Sequence, residues 1–263
     1  MNGIILALAG TMFTFGITTL GAVNVFFVRR GMTQDLQCIF LGFAAGVMVA
    51  ASVWSLLIPG IERASENGQN SCVTVTLGFV SGVAVLLASD YLLKRKYEFL
   101  RRHNGHISLR KNAAMLVMAI TIHNIPEGMA VGLGFALAAQ YPDHPELLSG
   151  AVALTIGIGI QNYPEGTAVA LPLIREGMEK KRAFLFGSLS AAVEPVFGVL
   201  AAAVSGMASR ILPFLLAFAA GTMIYVVVQE LLPETRTGER EKSGTLGFLV
   251  GFLIMMILDV ALG

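Results

Sequence analysis

Eight long apolar stretches, spread over 263 residues, constrain this chain more than any other feature. A hydrocarbon core about 30 Å thick needs roughly 20 apolar residues in a helix to cross it. The stretches fall at about 3–28, 38–60, 73–93, 113–139, 148–174, 183–206, 211–232 and 245–262. They are long and continuous, whereas the strands of a membrane barrel are short and alternating. The expected fold is an all-α integral membrane protein with eight transmembrane helices, one domain over 1–263 with the lipid bilayer as its solvent. Composition closes the alternatives: 55% of residues are hydrophobic and only 13% charged, with a mean hydropathy of +0.73, and a soluble domain carries near a quarter charged residues. Lys and Arg number 18 against 17 Asp and Glu, which leaves no basic excess for nucleic acid. The first stretch lacks a basic leader and is too long for a signal peptide's apolar core, so it is expected to be retained.

Basic residues orient the spans. Sixteen of the 18 lie in the connections after spans 1, 3, 5 and 7: Arg29 and Arg30, seven between Lys94 and Lys111, four between Arg175 and Arg182, and Arg236, Arg240 and Lys242. The other connections hold only Arg63 and Arg210. The positive-inside rule makes those four connections cytoplasmic and puts both termini outside. The longest of them is the cytoplasmic loop at about 94–112. It contains His103 and His106 and reads as a solvated basic loop near anionic headgroups, or as a transient metal-capture site. Cys38 and Cys72 fall near opposite membrane faces and cannot pair.

Spans 4 and 5 are near copies. Ile122-His123-Asn124-Ile125-Pro126-Glu127-Gly128-Met129-Ala130-Val131 matches Ile160-Gln161-Asn162-Tyr163-Pro164-Glu165-Gly166-Thr167-Ala168-Val169. Consecutive spans run antiparallel, so the copies imply a two-fold axis in the membrane plane, the inverted-repeat plan of secondary transporters. A weaker echo relates Phe43-Ala44-Ala45-Gly46-Val47-Met48 in span 2 to Phe218-Ala219-Ala220-Gly221-Thr222-Met223 in span 7. Spans 1–3 then invert onto 6–8 around a central 4–5 pair.

Glu127, Glu165 and Glu194 lie well inside their spans, where each charge costs roughly 2.5–3.5 kcal/mol on insertion scales. Helix spacing puts His123 and Glu127 on one face at i, i+4, with Asn124 on its flank, and Gln161, Asn162 and Glu165 repeat the arrangement. Bringing the two helices together gathers an imidazole, two carboxylates and three carboxamides. A divalent cation between the carboxylates relieves their repulsion. Mixed imidazole, carboxylate and amide ligation suits Zn²⁺ and its first-row neighbours better than Ca²⁺ or Mg²⁺. Pro126, Pro164 and Pro195 free backbone carbonyls, which membrane depth tolerates where a cavity is lined. Plainer readings stand beside these. A His–Glu pair can be an interhelical clamp, Glu194 can pair with a hydroxyl such as that of Ser190, and Met48 can be core filler or a thioether ligand. Asp90, Asp259 and Glu230 sit near span ends where they can reach solvent, and His144 falls in an outer loop. Two rival functions follow from the same residues: an intramembrane metalloenzyme, whose H-E-x-x-H signature is absent from the sequence, and a proton-coupled carrier of an organic solute.

At His123-Asn124-Ile125-Pro126-Glu127-Gly128 and Gln161-Asn162-Tyr163-Pro164-Glu165-Gly166 the sequence resembles the ZIP family of divalent-metal transporters, in its GufA-like bacterial branch. The span count and the basic loop between spans 3 and 4 extend the resemblance over essentially the whole chain. It implies a non-enzymatic carrier in a bacterial inner membrane, bringing Zn²⁺ into the cytoplasm, with Cd²⁺, Fe²⁺ and Mn²⁺ as further substrates. It also implies a binuclear site. The first position would use Met48, His123, Glu127, Gln161 and Glu165; the second would use Asn124, Glu127, Asn162, Glu165 and Glu194. Ser55 would lie on the outer route, and spans 1, 4, 5 and 6 would move against 2, 3, 7 and 8 as an elevator, in a homodimer. Many members have His where Gln161 stands and some have Asp where Asn162 stands. A neutral amide oxygen is a poorer ligand than either, so weaker or broader metal binding is implied here.

Overall fold

The structure is a computed structural model that describes residues 2–27, 33–104, 109–175, 177–207, 209–235 and 241–262. Among these residues there is no strand. Predicted span 1 is α1 (Gly3–Ala22) continued by α2 (Asn24–Phe27), and span 2 is α3 (Gln34–Ala51), a π-helical segment (Ser52–Leu57) and α4 (Ile58–Glu66). Spans 3, 4 and 5 correspond to α5 (Ser71–Asn104), α6 (Leu109–Gln140) and α7 (Pro145–Arg175). Span 6 is α8 (Lys180–Leu189), a 3₁₀ turn (Ser190–Ala192) and α9 (Val193–Met207). Span 7 is α10 (Leu212–Val226), a second π segment (Val227–Leu231) and α11 (Leu232–Thr235), and span 8 is α12 (Glu241–Leu262).

Among the described residues, six of these units are long and apolar enough to cross a membrane. α6 and α7 are 32 and 31 residues long, or about 48 and 46 Å at 1.5 Å per residue, and each carries one of the polar motifs within its apolar run. Pro126 and Pro164 stand inside them without ending either helix.

The basic connection at 94–112 is helical as far as Asn104 and again from Leu109, because Lys, Arg and Glu are good helix formers outside the membrane. His106 lies outside the described residues, as do Arg29, Arg30, Arg236 and Arg240. Cys38 is buried, Cys72 is exposed, and both are free.

Both π segments follow the echoed Phe-Ala-Ala-Gly-x-Met by the same interval, four residues from Met48 to Ser52 and from Met223 to Val227, and each runs up to a proline, Pro59 or Pro233. Such bulges are rare and concentrate at functional sites.

Packing divides the helices into two groups. In one, α1 packs on α6, α7 and α9, and α6 packs on α7 and α9. In the other, α3 pairs with α12 and α5 with α10. Glycines weld each group internally. A Cβ at Gly132 of α6 would lie 2.7 Å from the Gly198 Cα of α9, and one at Gly46 of α3 would lie 2.6 Å from the Phe252 backbone nitrogen of α12. Only glycine permits helix backbones that close. The seam between groups is made by α6 against α10 and by α7 against α3 and α12. There Gly157 faces the Met255 thioether and the Val47 side chain, and Met48, Leu133, Leu154, Ile158 and Met223 fill a shared apolar core.

Candidate metal centre

The motif residues on α6 are withdrawn from the surface: His123, Asn124 and Glu127 are 8%, 0% and 2% exposed. On α7, Gln161 and Asn162 are fully buried and Glu165 is half-buried, and Glu194 on α9 is fully buried. The two carboxamides of α7 reach two different carboxylates. Gln161 Nε2 donates to Glu127 Oε1 at 2.5 Å, and Asn162 Nδ2 donates to Glu194 Oε1 at 3.0 Å. Thr14 of α1 donates to the other oxygen of Glu194. Glu165 lies within electrostatic reach of Glu127 and Glu194. The approach of α9 depends on the residue after Glu127, since a Cβ at Gly128 would sit 2.6 Å from the Glu194 Cα.

What the donors leave behind defines the chemistry. Glu127 Oε2, Gln161 Oε1, Asn162 Oδ1 and both polar atoms of Asn124 are buried with no hydrogen-bond partner among the described residues. Buried polar atoms are paired in the large majority of cases, so five orphans on two neighbouring helices make this the candidate binding site. Their identity is informative. Each α7 amide gives its nitrogen to a carboxylate, which leaves its oxygen, the ligating atom, uncommitted. Carboxylate and carboxamide oxygens with an imidazole nearby form a donor set that a divalent first-row cation accepts. Among the described residues no three His, Cys, Asp or Glu side chains cluster as a metal site, so the carboxamides are needed to complete one.

The structure corrects several expectations. Glu194 does pair with a hydroxyl, but it is that of Thr14 and not of Ser190, which donates to the Gly187 carbonyl at 2.8 Å; Asn162 is its second partner. A 3₁₀ turn ending just before Glu194 and Pro195 turns Ser190 back along its own helix. The acidic residues near span ends do not simply reach solvent. Asp90 accepts from the Tyr225 hydroxyl at 2.7 Å, and Asp259, 8% exposed, accepts from the Ser55 hydroxyl at 2.7 Å. Glu230 Oε2 lies 3.3 Å from His123 Nε2, so the second π segment meets the first motif across the seam. Met48 is 1% exposed, in the core against which Ile122 and Met129 of α6 pack. His144 contacts Glu146 at 2.6 Å, both half-exposed, away from the motifs.

The sequence model described as "ZIP Zinc transporter" matches residues 100–259, which hold both motifs and Glu194. The chain belongs to the ZIP zinc transporter family. Three of the similar proteins are "Zinc transporter ZIP11" of Bos taurus, "Zinc transporter GufA" of Myxococcus xanthus and "Zinc transporter ZIPB" of Bordetella bronchiseptica. They are 36%, 37% and 38% identical to this chain, covering 98%, 97% and 98% of it and 97%, 96% and 81% of their own lengths. In this ZIP protein the motif reading found the paired carboxylates and carboxamides but missed Thr14 and Glu230. Thr11, Thr14 and Thr18 recur at helical spacing in span 1, a polar stripe that signals a buried contact. Nothing in the sequence signals that Glu230 meets His123.

Proposed function

We propose that this protein imports zinc into the cytoplasm through a site midway across an eight-span bundle of inverted repeats. The observation that carries this reading is the set of orphaned oxygens left by Glu127, Gln161 and Asn162, whose remaining atoms are committed to one another or to Glu194. Such oxygens replace the hydration shell of an ion, and the reaction needs no bond made or broken. The relatives named as zinc transporters, alike over nearly the whole chain, supply the substrate.

Finer features belong to the same proposal. The matched intervals from Met48 and Met223 to their π segments favour an inverted relation of spans 2 and 7. With α6 and α7 as spans 4 and 5, the count is eight. Glu127 and Glu165 would bridge two metal positions, one completed by Met48, His123 and Gln161 and the other by Asn124, Asn162 and Glu194. The welded group of α1, α6, α7, α8 and α9 would move as a body against the group of α3 to α5 and α10 to α12, since side chains at the seam slide more readily than interlocked backbones. With amides at Gln161 and Asn162, other first-row divalent ions and Cd²⁺ would share the route.

The test is uptake by proteoliposomes carrying the full chain, with Zn²⁺ outside and a panel of divalent ions as competitors. Saturable Zn²⁺ uptake that Glu127→Gln abolishes is expected; uptake indifferent to Glu127→Gln overturns the reading. Orientation is checked by impermeant thiol labelling. A cysteine replacing Gly105 should react only from the cytoplasmic side and one replacing Asp143 only from outside.

A further inference from the structure

α1 carries no part of either motif, yet one of its side chains enters the site. Thr11, Thr14 and Thr18 form a fully buried hydroxyl column. A buried threonine in a helix ordinarily satisfies its hydroxyl by bonding back to a carbonyl three or four residues earlier. Thr11 does so, to the Ala7 carbonyl at 2.7 Å, and Thr18 does so, to the Thr14 carbonyl at 3.2 Å. Thr14 differs. The Thr11 carbonyl is within 3.0 Å of its hydroxyl, but Glu194 is also in reach. A hydroxyl has one hydrogen, and a carboxylate is the stronger acceptor, so the hydrogen goes to Glu194.

This bond has a consequence two residues away. Thr14 occupies Glu194 Oε2, which leaves Oε1 to receive Asn162 Nδ2. With its nitrogen held there, the Asn162 side chain must present Oδ1 in the opposite direction, where it is buried without a partner. Were Glu194 free to turn, Asn162 could rotate its amide by half a turn and offer a donor, which binds no cation. We propose that Thr14 is a positioning residue for metal binding: through Glu194 it fixes the orientation of the Asn162 carboxamide and so aims Asn162 Oδ1 at the ion. The inference rests on the zinc-site reading above and adds a residue on a fourth helix of the same welded group, α1 beside α6, α7 and α9.

The experiment compares zinc uptake by full-chain protein in proteoliposomes. Thr14→Val keeps the shape and removes the hydroxyl, Thr14→Ala removes it without adding a methyl, and Thr14→Ser keeps it. Outer-sphere partners of metal ligands typically change affinity by about 10- to 100-fold. Thr14→Val and Thr14→Ala should each raise the zinc KM about tenfold with maximal rate within about twofold of wild type, and Thr14→Ser should restore wild-type KM. In an Asn162→Ala background, Thr14→Val should cost nothing further, because the orientation it controls no longer exists. A wild-type KM in Thr14→Val and Thr14→Ala overturns the proposal. So does a loss that adds fully to that of Asn162→Ala, or a fall in folded protein and maximal rate with KM unchanged. Failure of the zinc-site reading shows separately, as uptake that survives Glu127→Gln; a dead Glu127→Gln beside an unaffected Thr14→Val strikes only the role of Thr14.

Discussion

The two helix groups have opposite chemistry. The group of α1, α6, α7 and α9 holds Thr14, His123, Asn124, Glu127, Gln161, Asn162, Glu165 and Glu194, polar residues on four helices locked backbone to backbone. The group of α3, α5, α10 and α12 holds Met48 in its apolar core, reaches His123 only with Glu230 from a π turn, and keeps its own polar pairs, Tyr225 with Asp90 and Ser55 with Asp259, internal. Among the described glycines, those whose Cβ would strike another helix's backbone face a helix of their own group, whereas Gly157 faces flexible side chains across the seam. Under the proposed carrier mechanism, a site that keeps its geometry while its exposure changes is best built within one rigid body, with the adaptable contacts confined to the boundary.

The largest expected effect tests where the site is. Glu127→Gln and Glu165→Gln should each lower zinc uptake by about a hundredfold or more, the scale of losing a metal-shell interaction. Folding should survive, since a neutral amide is cheaper to bury than an anion; normal melting with lost uptake is the result to look for. If instead a charge-removing change at Glu230 abolished uptake and these two did not, the division of labour between the groups would be wrong.

Glycine substitutions test the welds. Gly46→Ala and Gly132→Ala force backbones apart and should cost about 2–3 kcal/mol of stability, the upper range for overpacking. Gly157→Ala meets the Met255 thioether, which can move aside, and should cost less than about 1 kcal/mol. Thermal unfolding in detergent ranks the three, and equal costs would erase the distinction between weld and seam.

Glu230→Gln sharpens the seam itself. The Glu230 side chain is 34% exposed, so its contact with His123 is partly screened and worth about 1 kcal/mol or less. Uptake rates should change by no more than about fivefold, that energy read as a rate ratio.

The smallest effect belongs at the rim. Glu146, in the first turn of α7, is held below the usual carboxylate range first by its own backbone N–H and then by His144. A depressed folded value contributes stability above the ordinary carboxylate range and loses it as pH falls through the lowered value. The group lies half-exposed at the rim, away from the motifs, so Glu146→Gln should leave melting at pH 7 and zinc uptake unchanged within error, with any difference from wild type vanishing further in acid.

The linear sequence determined the helical class, the places of the long apolar units and the paired motifs, because apolar length and residue spacing are local properties. It also determined that the repeated motif carries amides at Gln161 and Asn162, where the first copy has His123 and Asn124. Tertiary structure decided which atoms those amides leave free. Gln161 and Glu127 are 34 residues apart, and Thr14 and Glu194 are 180 apart; no periodicity within a span couples such positions. It also decided that Glu230, apparently a span-end carboxylate, meets His123 through a π turn. A change in helical winding rotates every later side chain, and only the packed helices fix where that rotation points.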